Sequence, residues 1–293
     1  MTITEFDRPG GTRRIAVVPA YNEEPTVASV LDKLSFFVDE LVVVDDGSTD
    51  CTRVEIQAWL PGHDHCRLLS FDDNQGMSAA YYFAFTSLRT RLHRGELSAD
   101  DLVFTVDADG QHDLDVLDDL HRLAVEDDLD ALLVRRDLST YPLYKRLGNE
   151  LLSAWATLWA GGVRLYDVES GYRIFRLGAL VDALDFYEGY KYSETVEVAV
   201  VMSRLRYRVR NDVLVPVPVY RSRTRMVDVA IDLAAIPSAA FRVSTRRPYG
   251  REVAGLGVPV AICAGAVAAA TGSAAWALRR LYALGKLRSK TRT

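Results

Sequence analysis

The sequence predicts an α/β fold: a mostly parallel central sheet with helices on both faces, followed by a C-terminal amphipathic and hydrophobic helical appendage. Three observations carry that reading. Short apolar runs alternate with helical segments at the spacing of βαβ units. The runs near the N-terminus end in polar clusters. A long uncharged stretch stands apart near the C-terminus.

Residues 14–19 (Arg14-Ile15-Ala16-Val17-Val18-Pro19) are an apolar run ending in proline and read as a buried strand. Residues 24–36 carry Val27, Val30, Leu31 and Leu34 at helical spacing. Residues 40–45 form a second buried strand, stopped by the turn cluster Asp46-Gly47-Ser48. Residues 67–71 read as a third strand, 76–92 as an Ala-, Tyr- and Phe-rich helix, and 102–106 as a fourth strand ending at Asp107. In the second half, 141–159 reads as a helix with Leu147, Leu151, Leu152, Trp155 and Leu158 on one face, and 195–205 as another apolar helix. Residues 213–220 carry Pro216 and Pro218, which confines them to an edge strand or an extended segment.

With 293 residues and 49% hydrophobic content, the chain has room for one large α/β domain plus an appendage. We divide it into a catalytic domain over 1–223 and a membrane-associated helical tail over 224–293. The tail holds an interfacial helix at about 226–244, with Asp228 and Asp232 on one face, and a hydrophobic segment at 253–278. That segment is uncharged, long enough to cross a bilayer, and flanked by basic residues on both sides. It reads as a single span, an interfacial helix, or a packing helix of a homo-oligomer. Residues 1–11 are polar, so no secretory leader is expected. Three cysteines without metal-ligand spacing argue against a disulfide framework and for a reducing compartment. A formal net charge of -5 gives no bulk attraction to nucleic acid, which is excluded as a partner.

In open α/β sheets, ligands sit beyond the carboxyl ends of the strands. Three polar clusters fall there: Ala20-Tyr21-Asn22-Glu23, Asp45-Asp46-Gly47-Ser48 and Asp107-Ala108-Asp109. Asp-x-Asp alone is a weak signal, and Asp113-Leu114-Asp115 and Asp128-Leu129-Asp130 repeat it in helical or loop contexts. Asp107-Ala108-Asp109 differs because it ends a buried strand. Two carboxylates converging there repel unless a cation joins them, and a hard cation such as Mg²⁺ or Mn²⁺ suits carboxylate and phosphate oxygens. The alternative for the same tripeptide is a turn with an aspartate capping a helix. Asp45 and Asp46 offer acceptors to a ribose or base, or build a turn; Tyr21 offers an aromatic face, or is a plain rim residue.

Taken in order, Pro19-Ala20-Tyr21-Asn22-Glu23, Val44-Asp45-Asp46-Gly47-Ser48-Thr49-Asp50, Asn74-Gln75-Gly76 and Asp107-Ala108-Asp109-Gly110-Gln111 resemble the ordered motifs of glycosyltransferase family 2. The resemblance implies the GT-A fold, an inverting reaction and a divalent metal. The second half is similar to a narrower group, the polyprenyl-phosphate glycosyltransferases such as dolichyl-phosphate mannose synthase. The similarity lies in Asp167-Val168-Glu169-Ser170-Gly171-Tyr172-Arg173, in Arg135 and Arg146, in the segment from Gly189 through Glu194 and Glu197, and in Val215-Pro216-Val217 followed by Tyr220-Arg221-Ser222-Arg223. Met77-Ser78-Ala79 replaces that group's Gly-Lys-Gly, and Leu133-Val134-Arg135 its Gly-Ser-Arg. The Gln-x-x-Arg-Trp signature of processive synthases is absent.

These resemblances imply a set of roles. Asp107, Asp109 and Gln111 would hold Mg²⁺ or Mn²⁺. Pro19, Tyr21, Glu23, Asp45, Asp46 and Asp107 would bind a nucleotide-diphospho-sugar. Arg135, Arg146, Arg173 and Arg221 would bind the acceptor's phosphate. Asp107, Asp109, Arg173 and Arg223 would be catalytic. The expected reaction moves a hexose to a polyprenyl or dolichyl phosphate at the cytoplasmic face of a membrane. A hydroxyl acceptor would instead require a carboxylate base, Glu169 or Glu194 first, while His112 beside the metal motif reads as a supporting or exposed residue rather than a catalytic one. A third expectation, of another class, is a non-catalytic nucleotide-sugar-binding protein.

Overall fold

A computed structural model describes residues 11–187, 193–217 and 226–246, with the side chains of 226–231 and 246 excepted. The elements are β1 (Arg14–Ala20), α1 (Val27–Ser35), β2 (Glu40–Asp45), α2 (Thr52–Trp59), β3 (Cys66–Ser70), α3 (Met77–His93) and β4 (Leu102–Thr105). A 3-10 turn (Leu114–Val116) then leads into α4 (Leu117–Glu126), β5 (Ala131–Leu133), β6 (Arg135–Asp137) and α5 (Leu143–Trp159). β7 (Arg173–Arg176), α6 (Leu177–Leu184), α7 (Glu194–Arg204), β8 (Val209–Arg210), β9 (Leu214–Pro216) and α8 (Met226–Arg246) complete the described chain.

The main sheet runs β3-β2-β1-β4-β7-β5-β8. β1 is parallel to β2 and to β4, and β2 is parallel to β3. β7 enters antiparallel between β4 and β5. β6 and β9 form a separate parallel pair. The period-two alternation of β1 divides the core. Ile15 and Val17 pack with α3, α5, α6 and α7 on one face. Ala16 and Val18 pack with α1, α2 and α4 on the other. Pro19 is accommodated in a central strand because the β1–β4 register ends at Val17 and Thr105, before the proline is reached.

The helix assigned to a separate tail does not stand apart from the domain. Ile236, Ala239, Ala240 and Val243 of α8 lie in the same core as α5 and α7. Small alanines let the backbones approach. Arg242 donates to Glu197 Oε2 at 2.6 Å and to the Phe186 carbonyl at 2.6 Å, and Trp155 Nε1 donates to the Leu233 carbonyl at 3.1 Å. The division at residue 223 therefore falls inside one packed unit as far as residue 246. Leu233 and Phe241 remain exposed on the outer face of α8. Among the described residues no helix is long and apolar enough to cross a membrane. The segment 253–278 lies outside the described residues.

Candidate functional site

The parallel register pairs Ala20 with Asp45, so the loops after β1 and β2 leave the sheet side by side. They interlock. Asn22, in the left-handed region at φ 56°, accepts from Thr49 N at 2.8 Å through its side-chain oxygen, and its own amide donates to Ser48 Oγ at 3.1 Å. Glu23 N donates to Thr52 Oγ1 at 2.8 Å. Tyr21 and Glu23 stand half-buried at this edge, while Pro19 is buried in β1.

Asp45 and Asp46 are placed differently from an exposed donor-binding pair. Asp45 is fully buried and accepts from Arg53 Nε at 2.6 Å and Ser48 N at 3.2 Å. Asp46 accepts from Gln75 N at 2.7 Å and from Asn74 Nδ2 and Gly76 N at 2.8 Å each. Its carboxylate thus pins the 73–76 loop against the end of β2. Gly47, at φ +67°, is where that loop comes closest. A Cβ there would lie 2.4 Å from the Asp73 carbonyl carbon, so both the backbone angle and the space require glycine.

Asp107 follows β4 directly. Tyr81 of α3 donates to its Oδ1 at 3.4 Å, and His112 Nε2 lies 3.6 Å from its Oδ2. The Asp107 backbone N–H donates to His112 Nδ1 at 3.2 Å. That bond leaves the imidazole proton on Nε2, facing the carboxylate. Burial pushes the His112 pKa down to about 4, and the neutral ring stacks on Tyr172 at 4.6 Å. Asp109 accepts from Gln111 N at 3.0 Å, and the Gln111 side-chain amide donates to its other oxygen. Thr26 Oγ1 ties the Ala108 carbonyl to the start of α1 at 2.8 Å. Burial raises the pKa of Asp107; burial and then the Asp107 charge raise that of Asp109.

Gly171 closes over Asp107. Thr105 Oγ1 holds its carbonyl at 2.6 Å, and a Cβ on Gly171 would lie 3.1 and 3.3 Å from the two Asp107 oxygens. Two half-buried carboxylates, the charge of one raising the pKa of the other, with a cradle over Asp107 that a methyl group would fill, fit a hard divalent cation. Among the described residues no group of three or more His, Cys, Asp or Glu side chains forms a complete protein cage. The nucleotide's own phosphate oxygens would have to share the coordination. The repeats of the motif have other work: Asp113 caps the 3-10 turn, and Asp128 pairs with Arg176 and Arg208 at the surface.

A buried ion pair that sequence reasoning did not single out lies beside Asp107. Arg136 Nε and Nη2 donate to Asp167 at 2.8 and 2.9 Å, and the Arg136 backbone N donates at 3.0 Å. Glu169 lies 3.7 Å from the same guanidinium. Asn149, with its amide oriented to satisfy its neighbours, donates to both Asp167 and Glu169. Burial raises the Glu169 pKa. The available signal was strand alternation: Arg135 and Arg136 face opposite sides of β6, and only the outward one had been chosen.

Arg173 is buried and turned inward. Its three nitrogens donate to the carbonyls of Ser170, Thr195 and Val168 at 2.7, 2.6 and 2.8 Å, and burial brings its pKa down to about 10. It braces the loop carrying Gly171 rather than presenting donors outward. Glu194 accepts from Ser78 Oγ at 2.7 Å, and burial pushes its carboxyl up to about 8. Arg135 is exposed and Arg146 half-buried, both in the field of Asp137. The structure therefore brings Asp107, Asp109, Gln111 and His112 together, gathers Glu169 with Arg136 and Asp167, sets Arg135 and Arg146 to one side, and gives Arg173 to the scaffold. Arg221 and Arg223 lie outside the described residues.

A nucleotide-sugar transferase is the class that this sheet and carboxylate pair define. The profile of glycosyl transferase family 2 matches residues 15–165, just over half of the chain, and the chain belongs to that family. The UDP-N-acetylglucosamine–dolichyl-phosphate N-acetylglucosaminyltransferase of Methanococcus voltae is 26% identical over 206 residues, 64% of this chain and 78% of that protein. A dolichyl-phosphate beta-glucosyltransferase of Trichomonas vaginalis is 33% identical over 116 residues, 36% of this chain and 31% of that protein. Glucosyl-3-phosphoglycerate synthase of Mycobacterium tuberculosis, crystallised with Mn²⁺, UDP-glucose and phosphoglyceric acid, has the same fold, with a TM-score of 0.58 at 20% identity over 79% of this chain and 80% of that one. The fold is GT-A-like.

Proposed function

We propose that this protein is an inverting, metal-dependent hexosyltransferase that moves a sugar from a nucleoside-diphosphate donor (GDP-mannose or UDP-glucose type) to a polyprenyl phosphate at the cytoplasmic face of a membrane. The observation that carries the acceptor class lies on α5. Leu143, Leu147, Leu151 and Leu158 are 66%, 48%, 72% and 75% exposed. They form one outward stripe, and Arg146 stands in the helix's first turns beside it. A cation next to an apolar row that is exposed among the described residues suits a ligand that is a phosphate at one end and a hydrocarbon at the other. The names of the two dolichyl-phosphate relatives support the same reading.

In this reading Asp107 and Asp109 hold Mg²⁺ or Mn²⁺, which when bound supplies Lewis-acid neutralisation of the departing diphosphate. Gln111 fixes the rotamer of Asp109, and Gly171 keeps the space above Asp107 open. Tyr21 and Glu23 contact the nucleoside, on loops that Asp45 and Asp46 hold in place. A phosphate acceptor is already anionic at neutral pH and needs no strong base. It needs cations, which Arg135 and Arg146 offer from the outer side. Arg173 and Arg136 fix the 167–173 loop between the two.

Neutral Glu194 gives a hydroxyl acceptor little help at pH 7. Half-exposed Glu169 is the better base for that second reading, which the phosphoglyceric acid complex of the tuberculosis enzyme's fold keeps in view. Incubating the protein with labelled nucleotide sugars and either polyprenyl phosphate or a sugar acceptor separates the two. A chloroform-soluble, mild-acid-labile product is expected; labelling of the hydroxyl acceptor alone would overturn the proposal.

A further inference from the structure

Most arginines among the described residues are matched to a carboxylate: Arg14 with Asp118, Arg53 with Asp45, Arg91 with Glu40, Arg176 with Asp100, Arg242 with Glu197. Arg135 and Arg164 break that pattern. Among the described residues neither forms an ion pair. Both stand over the same ring instead, with the Arg135 Cζ 5.2 Å and the Arg164 Cζ 4.8 Å from the centroid of Tyr166. Two guanidiniums gathered at one ring repel each other. A cation–π contact at an exposed site returns only about 0.5–1 kcal/mol and leaves the charge in place.

The arrangement is built, not incidental. The side chain of Asn211 ties both neighbours together: Tyr166 N donates to its oxygen at 3.1 Å, and its nitrogen donates to the Arg164 carbonyl at 3.0 Å. Leu165 N, between them, donates to Thr157 Oγ1 at 2.9 Å. On the other side, Arg135 N donates to the Val213 carbonyl at 2.8 Å. One residue inward, Arg136 and Asp167 form the buried pair described above. The two segments thus run in step, with Arg136–Asp167 turned to Asp107 and Arg135–Tyr166 turned outward. Asp137, two residues along β6, accepts from Ser139 N at 2.9 Å and meets Arg135 through its field.

We propose that Arg164 and Arg135, ordered by Tyr166, form a binding site for a phosphate monoester, with Arg164 its outer arm. The inference rests on the proposed lipid-phosphate acceptor and extends it to Arg164 and Tyr166, which no sequence motif marked. Stacking occupies the face of a guanidinium and leaves its in-plane N–H edge free. Two such edges held at one ring offer paired, bidentate donors to the oxygens of a phosphate.

The test uses the whole chain, with binding of a short-chain polyprenyl phosphate and of the matching polyprenol measured in detergent, and binding of phosphatidic acid vesicles measured without it. Wild type is expected to bind the polyprenyl phosphate and not the polyprenol. Arg164→Ala and Arg135→Ala are each expected to weaken that binding about 10-fold to 100-fold, with Arg164→Lys intermediate and nucleoside-diphosphate affinity unchanged. If wild type ignores the lipid phosphate but Arg164→Ala loses vesicle binding, the phosphate site stands, its ligand is a headgroup, and the acceptor reading fails. If Arg164→Ala matches wild type toward both probes, or wild type binds neither, the site is overturned.

Discussion

Arg136 holds Asp167 by three hydrogen bonds at once, two from its guanidinium at 2.8 and 2.9 Å and one from its own backbone amide at 3.0 Å. Burial disfavours the Arg136 charge, but Asp167 outweighs it and holds the guanidinium above its ordinary pKa. The pair fixes the start of the loop that runs through Glu169 and Gly171 to β7, and its charge reaches Asp107.

Removing Asp167 leaves the half-buried Arg136 guanidinium facing Glu169 alone, at 3.7 Å. Asp167→Ala is expected to cost about 1.5–3 kcal/mol of stability, read from urea unfolding. Arg136→Lys keeps the charge but loses the planar fork, and should fall between wild type and Asp167→Ala. A wild-type midpoint for both variants would contradict the structural role.

Gly171→Ala tests the cradle. Its Cβ would press on the Asp107 oxygens at 3.1 and 3.3 Å, so that carboxylate must shift. The expected result is a rise of at least about tenfold in the metal concentration for half-maximal activity, the equivalent of about 1.4 kcal/mol. The unfolding midpoint should move little. Unchanged metal dependence would remove Gly171 from the account.

Asp46→Asn tests the loop latch. Asparagine keeps the shape but turns one acceptor oxygen into a donor facing N–H groups. The 73–76 loop should loosen, with a stability loss of about 2–3 kcal/mol and a raised KM for the nucleotide sugar. A change in kcat alone, with stability and KM intact, would place Asp46 in the chemistry instead.

Glu194 gives the fold a pH dependence. Its carboxyl is raised by burial from an ordinary 4.5 to about 8. Below 4.5 both folded and unfolded states carry the proton. Between 4.5 and about 8 the folded state keeps a proton that the unfolded state releases, so stability falls as pH rises. The slope from one such group is at most about 1.4 kcal/mol per pH unit. Glu194→Gln removes the titration and keeps an acceptor for Ser78. The variant's advantage over wild type should therefore grow from pH 5.5 to 8.5. Parallel unfolding curves across that range would contradict a neutral Glu194.

The first half of the fold was legible because β1, β2 and β4 are buried along nearly their whole length and its polar residues collect at strand ends. The predicted strand at 40–45 matches β2, and the helix at 76–92 differs from α3 by one residue at each end. β7 was not legible: Arg173-Ile174-Phe175-Arg176 begins and ends with arginine and offers no long apolar run, and its antiparallel place depends on partners far along the chain. The carboxylates proposed to hold the metal stand out in the sequence by their position after β4. The inward use of Asp46 and Arg173 does not, because a carboxylate that latches a loop and one that faces a ligand occupy the same motif. α8 read as an amphipathic helix, and Met226–Arg246 is helical. What its apolar face covers is set by α5 and α7, and a helical pattern does not name its partner.

The central claim is that Asp107 and Asp109 hold a divalent cation for transfer to a lipid phosphate. The most direct measurement is single-turnover transfer from labelled GDP-mannose and UDP-glucose to polyprenyl phosphate, with and without Mn²⁺, by wild type and Asp109→Ala. The account predicts a lipid-linked product from at least one donor. That product should disappear on chelation, return with Mn²⁺, and fall by at least about a hundredfold in Asp109→Ala, the equivalent of about 2.7 kcal/mol of transition-state stabilisation. Lipid-linked product formed at full rate under chelation, or by Asp109→Ala, would contradict it.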